Sequence, residues 1–174
     1  MKYGSGILGL SALTASALAL VPATTLADMQ SLKNQLVGTW NIVSVSVTQK
    51  DGKKFYPYGT NSKGLLVLTN DGHFILLNTR SDLPRFASGN RLQGSDAEND
   101  AIVRGALAYF GTYTVDEADK TFTTKIDVST FPNDDGTEQK RAILSLTTDE
   151  LHFTNPAPPI GGGPPAEVTV KRAM

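Results

Sequence analysis

Three observations predict an all-β fold, an up-and-down antiparallel β-barrel with a short N-terminal helix and one short inserted helix. Between residues 38 and 172 the chain divides into eight short runs rich in β-forming side chains. The gaps Lys50-Asp51-Gly52-Lys53, Asn70-Asp71-Gly72, Asp116 to Lys120 and Thr148-Asp149-Glu150 are short and polar, and each turns a strand back on its neighbour. Within the runs, side chains alternate between two faces, one of them wet. Antiparallel strands in that number must hide their edges, and closure into a barrel does so completely.

Taken in order, residues 1–27 stand apart. Lys2 gives a positive start, residues 7–21 are mostly Leu, Ala, Ser and Gly, and Thr25-Leu26-Ala27 offers the small residues a signal peptidase reads. A secretory signal is expected here, cleaved after Ala27, with a periplasmic or secreted product. The apolar run is too short for the ~20 residues of a membrane span and is interrupted by Ser11, Thr14, Ser16 and Pro22. No membrane anchor is therefore expected after cleavage. Residues 28–174 have the length of one domain. The whole chain carries 16 basic and 17 acidic side chains, and losing Lys2 makes it slightly more acidic, which argues against nucleic acid as a partner. It has no cysteine, so an exported chain must hold together through its core.

Residues 28–36 make the short helical segment. Strands follow at 38–48, 64–69, 73–79, 108–115, 121–130, 138–147, 151–154 and 167–172. Ser95-Asp96-Ala97-Glu98 has the form of a capping box, opening a helix with Ala101, Ile102, Ala106 and Leu107 on its apolar side. Residues 81–94 form a long loop, and PAPPIGGGPP at 156–165 is too rich in Pro and Gly for helix or strand. The acidic stretch STFPNDDGTEQKR at 129–141 resembles a calcium loop only superficially. An EF-hand closes with a Glu six residues after its Gly, whereas Glu138 follows Gly136 by two. Residues 133–136 are instead a polar hairpin turn, so removing Asp134 and Asp135 should be nearly silent.

Alternation assigns faces. In 121–130, Phe122, Thr124, Ile126, Val128 and Thr130 share one side. In 138–147, Arg141 shares a side with Gln139, Ile143 and Ser145, which directs a charge toward the barrel interior.

Gly38-Thr39-Trp40, opening the first strand behind a helical segment, matches the Gly-x-Trp signature of lipocalins, and Arg172 closes the last strand where that fold often sets an Arg against the Trp. The chain resembles, over nearly all of residues 28–174, the bacterial and fungal lipocalin-like domain family. The resemblance is carried by Leu36-Val37-Gly38-Thr39-Trp40, Ala108-Tyr109-Phe110-Gly111-Thr112-Tyr113, Phe131-Pro132-Asn133, Gly136-Thr137-Glu138-Gln139 and Arg141. Where the family's Pro-Asn-x-x-Gly-x-x-x-x-Arg signature leads one to expect a bulky apolar residue after Asn133, this chain has Asp134. The resemblance implies a lipocalin-like β-barrel. It does not assign an activity, since its members are mostly uncharacterised, some of them placed in natural-product pathways.

Candidate residues follow from both lines. Gly38, Trp40 and Arg172 are assigned structural roles, with Trp40 plugging one end and the Arg172 guanidinium over its ring. Tyr109 and Tyr113 share a strand face with Gly111 between them, where a ligand or another backbone can approach. Their hydroxyls either aim into a cavity or bond nearby backbone. Arg80, Asp82, Arg85 and Arg91 crowd the long loop. With Arg104 and Arg141 they form either a mouth for a carboxylate or a set of solvated and structural charges, such as Arg141 with Glu138. The ligand-binding set is Tyr109, Tyr113, Arg141, Arg80 and Phe86. His73 reads as an exposed turn residue, and His152 faces away from Leu151 and Phe153. Neither histidine has zinc-ligand spacing, so no metal is assigned. No cysteine nucleophile and no Gly-x-Ser-x-Gly elbow occur, no catalytic set is assigned, and no cofactor is called for. A barrel of this size has room for one small ligand. The expectation is an exported barrel binding a small, partly apolar molecule. The alternatives are an isomerase, cyclase or hydrolase of a hydrophobic metabolite, with Tyr109, Tyr113, His73 or Arg141 as acid or base, and a barrel filled by its own side chains.

Overall fold

A computed structural model describes Met1 and residues 31–156, 158 and 164–173. The expected signal, residues 1–27, and much of the loop at 156–165 lie outside the described residues. The first helix, α1 (Leu32–Leu36), opens at Ser31, whose hydroxyl accepts the Asn34 N–H at 3.2 Å. Strands β1 (Gly38–Thr48), β2 (Lys54–Phe55), β3 (Lys63–Leu68) and β4 (His73–Thr79) precede α2 (Asp96–Gly105). Then come β5 (Ala106–Asp116), β6 (Thr121–Ser129), β7 (Glu138–Leu146), β8 (Glu150–Asn155) and β9 (Ala166–Arg172).

Strands β3 to β9 pair antiparallel in sequence order, and β1 joins both β3 and β9. The β1–β9 seam runs from Trp40 opposite Arg172 to Val47 opposite Ala166, which closes an eight-stranded up-and-down barrel. The extra strand, β2, sits on the far end of β1, with Val47 opposite Phe55. It escapes the sequence reading because two exposed residues carry no alternation.

One end of the barrel is packed and apolar. Leu36, Trp40, Leu66, Leu68, Phe122, Leu151 and Val170 are essentially inaccessible to solvent. The other end keeps buried polar side chains, among them Asn78, Ser129, Asp134, Gln139, Arg141 and Asn155. The segment between β2 and β3 carries Tyr58 over this second end, where it is buried.

Among the described residues three bulges shift the strand faces, one of them in β1 between Ile42 and Ser44, and two bear on the site. The β5–β6 register steps between Phe110 and Gly111, where a Cβ on Gly111 would collide with the Lys125 carbonyl. Beyond that step Ser129 is buried and Val128 is half exposed, so Val128 does not continue the face of Phe122 and Ile126 as alternation predicts. The β7–β8 register steps between Ile143 and Ser145, which turns Ser145 outward and Leu146 toward the core.

The capping box of α2 is present: Ser95 Oγ accepts the Glu98 N–H at 3.4 Å, and the Glu98 carboxylate accepts the Ser95 N–H at 2.7 Å. The helix ends at Gly105. Ala106 and Leu107 therefore belong to β5 rather than to the helix's apolar side.

The β6–β7 connection is a hairpin, with Lys125 opposite Glu138. Its turn is more than an exposed polar link. A 3-10 turn over Pro132–Asp134 tucks Asp134 inward, and Asp135 Oδ1 accepts the Ser129 N–H at 2.7 Å. The expectation that both aspartates are dispensable is corrected on these two observations: one is buried, and the other holds the end of β6.

Candidate functional site

The polar end is built by strands that place one polar residue where an apolar face would continue. In β4 the inward series is Phe74, Leu76, Asn78, and in β8 it is Leu151, Phe153, Asn155. In β7 it begins with Gln139 and Arg141, ahead of the bulge. Tyr109 comes from β5, directly opposite Leu76 on β4. Together with Tyr58 these strands enclose a small chamber of about 30 Å³, lined by Tyr58, Asn78, Tyr109, Arg141 and Asn155 among apolar neighbours.

Arg141 is its centre. The side chain is 1% exposed, and its guanidinium carbon lies 5.8 Å from the Tyr109 ring, 5.9 Å from Phe122 and 5.7 Å from Phe153. Its Nη2 donates to the Tyr109 hydroxyl at 2.9 Å and to Gln139 Oε1 at 2.7 Å. Both acceptors are neutral groups. Its Nε has no hydrogen-bond partner among the described residues, and no ion pair forms to it among them. A buried charge ordinarily has a charged partner, and its uncompensated desolvation is expensive.

Among the described residues, the Arg141 charge acts on the carboxylate of Asp134. Its Oδ2 is buried without a hydrogen-bond partner among the described residues. Burial raises its pKa above the ordinary carboxylate value, the Arg141 charge opposes that shift, and Asp135 adds to it. Tyr58 is also held above the usual phenol range, by burial first and then by Tyr109 and Asp134. Tyr58 is therefore a neutral hydroxyl at physiological pH.

Of the five residues assigned to ligand binding, the structure brings two together, Tyr109 and Arg141. Tyr113 lies further down the barrel and donates its hydroxyl to the Thr69 carbonyl at 2.8 Å, the backbone-bonded alternative left open for it. Arg80 is on the rim, in a two-bond pair with Asp82 at 2.9 and 2.7 Å. Phe86 is in the long loop against Gly94, away from the chamber. Arg141 and Glu138 are not a pair, because alternation sends Glu138 outward. Burial also raises the Tyr113 pKa, with Asp71 adding to it. His73 is exposed and lies 3.3 Å from Asp71. The space beside Gly111 is taken by the β6 backbone rather than by a ligand.

At the opposite end, Trp40 is fully buried and donates its indole N–H to the Leu36 carbonyl at 2.8 Å. The Arg172 guanidinium stacks 4.0 Å from the Trp40 ring centroid and donates to the carbonyls of Thr148, Val37 and Gln35 at 2.7, 3.0 and 2.8 Å. Gly38, at φ 138°, leaves the guanidinium its path, since a Cβ there would lie 2.6 Å from Nη1.

Sequence reasoning missed Tyr58, Asn78, Asp134, Gln139 and Asn155 as site residues. Asn78, Gln139 and Asn155 had a signal: each extends an inward face with a polar side chain at the same end of the barrel. Tyr58 and Asp134 sit in turns, where period-two reasoning has no purchase.

Residues 37–164 match the lipocalin-like domain family, well over half of the chain. The chain belongs to the lipocalin-like domain family. No curated protein matches it. Among solved structures this lipocalin-like chain is similar to a redesigned β-barrel, at 15% identity over 84% of this chain and 98% of that one, with a TM-score of 0.45. It is also similar to a de novo designed fluorescence-activating β-barrel, at 13% identity over 83% and 100% of the two chains, with a TM-score of 0.42.

Proposed function

We propose that this lipocalin-like barrel binds a small, partly apolar molecule whose acidic or carbonyl oxygen is received by Arg141. The observation that carries the reading is the guanidinium itself, buried, stacked among three aromatic rings and without an ion pair among the described residues. Such a group supplies fixed, charged donors that an oxygen anion fits, the unpartnered Nε–H among them, in surroundings where water does not weaken the bond. Tyr109 and Gln139, both bonded to Nη2, hold the guanidinium in place. An isomerase, cyclase or hydrolase has fewer groups to draw on, because His73 and Tyr113 do not line the chamber.

Native mass spectrometry of protein purified gently from its host tests occupancy and gives the ligand's mass. Titration of that ligand into Arg141→Met should then show roughly a 100-fold loss of affinity, the scale for removing one side of a buried charged contact. Unaltered affinity in the variant would remove Arg141 from the site.

Export belongs to the same proposal and rests on Lys2, the apolar run and Thr25-Leu26-Ala27. N-terminal sequencing of exported protein should begin at Asp28, and a start at Met1 would overturn it.

A further inference from the structure

The chamber at Arg141 is small. At about 30 Å³ it holds a water or two, not a metabolite. Directly outside it lies an open groove of about 1100 Å³, between the β2–β3 segment, α2 and the ends of β4 to β6. The two spaces share Tyr58 and Leu107 in their linings, so these side chains are the wall between them.

Tyr58 is a part of that wall held by packing. Its segment turns tightly at Gly59, with φ 75° and the Gly59 N–H donating to the Tyr56 carbonyl at 3.0 Å, which fixes the backbone and leaves the ring to close the opening. The hydroxyl forms no hydrogen bond among the described residues. Turning the ring outward therefore breaks no hydrogen bond among them.

Chemistry differs on the two sides. The groove exposes Phe55, Leu77, Val103 and Phe131, each at least two-fifths accessible, an apolar cluster that a soluble surface rarely leaves without a use. Its cations are already neutralised, Arg80 by Asp82 at 2.7 Å and Arg104 by Asp100 at 2.7 Å. Inside, Arg141 forms no ion pair among the described residues. Charge and apolar surface are thus separated along one path, charge innermost.

We infer that chamber and groove form one site, divided by Tyr58, for an amphipathic monocarboxylic acid that enters head first, its carboxylate on Arg141 and its apolar body in the groove against Phe55, Leu77, Val103 and Phe131. The inference rests on Arg141 as the anion receptor and adds the ligand's class, its orientation and its route.

Titration calorimetry with straight-chain acids of about four to twelve carbons, and with the matching primary alcohols, tests it. Affinity for the acids should climb by about fourfold per added methylene until the groove is filled, the yield of burying one CH₂. The alcohols should bind about 10- to 100-fold more weakly, as loss of a charged hydrogen-bond partner requires. Arg141→Met should abolish that preference while keeping the length dependence. Tyr58→Ala, with folding checked by circular dichroism, should speed association of the ten-carbon acid in stopped flow by tenfold or more and leave the acid preference intact. Acids that bind through Arg141 with no gain on lengthening, or an association rate unmoved in Tyr58→Ala, would overturn the shared site while leaving Arg141 as the receptor. Equal binding of acids and alcohols would overturn both. Concentration-dependent dimerisation abolished by Phe131→Ser would assign the groove to a second copy of the chain and overturn the inference.

Discussion

Arg141 and Asp134 are opposite charges brought to the same end of one barrel, and they do not satisfy each other. The guanidinium donates to neutral partners, and an oxygen of the carboxylate stays without a hydrogen bond among the described residues. Burial wins over the attraction of Arg141, so the folded pKa of Asp134 lies above its unfolded value. Between those two values the native chain holds a proton that the unfolded chain has released. Stability then falls as pH rises through that window, and above the folded value the whole penalty is present. Asp134→Asn removes the titration. The variant should melt above wild type at neutral pH, with the gap closing as pH is lowered toward the ordinary carboxylate range near about 4. Melts from about pH 3 to 8 check this, and a gap independent of pH would show that Asp134 titrates as a solvated side chain.

At the scale of elements, the strands are legible wherever the period of two survives and lost where a bulge interrupts it. Gly111 is the clearest case, since the step in register at Phe110 and Gly111 brings the Lys125 carbonyl against its α-carbon. A methyl group there has backbone in its way, which cannot swing aside as a side chain would. Gly111→Ala should destabilise by about 3 kcal/mol, the upper range of overpacking, as read by urea melts. A midpoint within error of wild type would mean that the bulge tolerates a side chain. The same step explains what the sequence could and could not show. Alternation directs Arg141 inward, where it lies, because it precedes the bulge of its own strand, whereas Val128 follows one and lies on the opposite face from the one alternation assigns it. Eight strands, the antiparallel order and the α2 capping box are local features, written in alternation and turn chemistry. Tyr58 at the mouth and Asp134 beneath it are set by how turns fold over the barrel end, a long-range outcome that no local pattern encodes.

On the scale of the whole molecule, the two ends of the barrel divide the labour. At one end the seam between β1 and β9 is locked by Trp40 and Arg172, whose guanidinium joins the end of α1, the β7–β8 turn and the last strand through three carbonyls and one ring. At the other end Arg141 and Tyr109 sit among polar groups that a barrel optimised for stability alone would replace with apolar ones. Among the described residues, neither Trp40 nor Arg172 shares a hydrogen bond or ring contact with Arg141 or Tyr109, so their effects should be largely separable. Trp40→Ala should cost about 3–5 kcal/mol through the cavity it leaves. Arg172→Lys should lose much of the lock although the charge is kept, because an ammonium on a flexible stem cannot span three carbonyls and stack on an indole at once. Arg141→Met should shift stability by less than about 2 kcal/mol in either direction, since relief of a buried charge offsets the donors lost by Tyr109 and Gln139. Denaturant melts of the three variants, paired with titration of a ten-carbon acid, make the comparison. Trp40→Ala and Arg172→Lys should move the melt and, under folding conditions, leave affinity within about twofold, whereas Arg141→Met should do the reverse. A barrel in which Arg141→Met unfolds the chain as readily as Trp40→Ala would place the guanidinium in the structural lock, and the polar end would then serve the fold rather than a ligand.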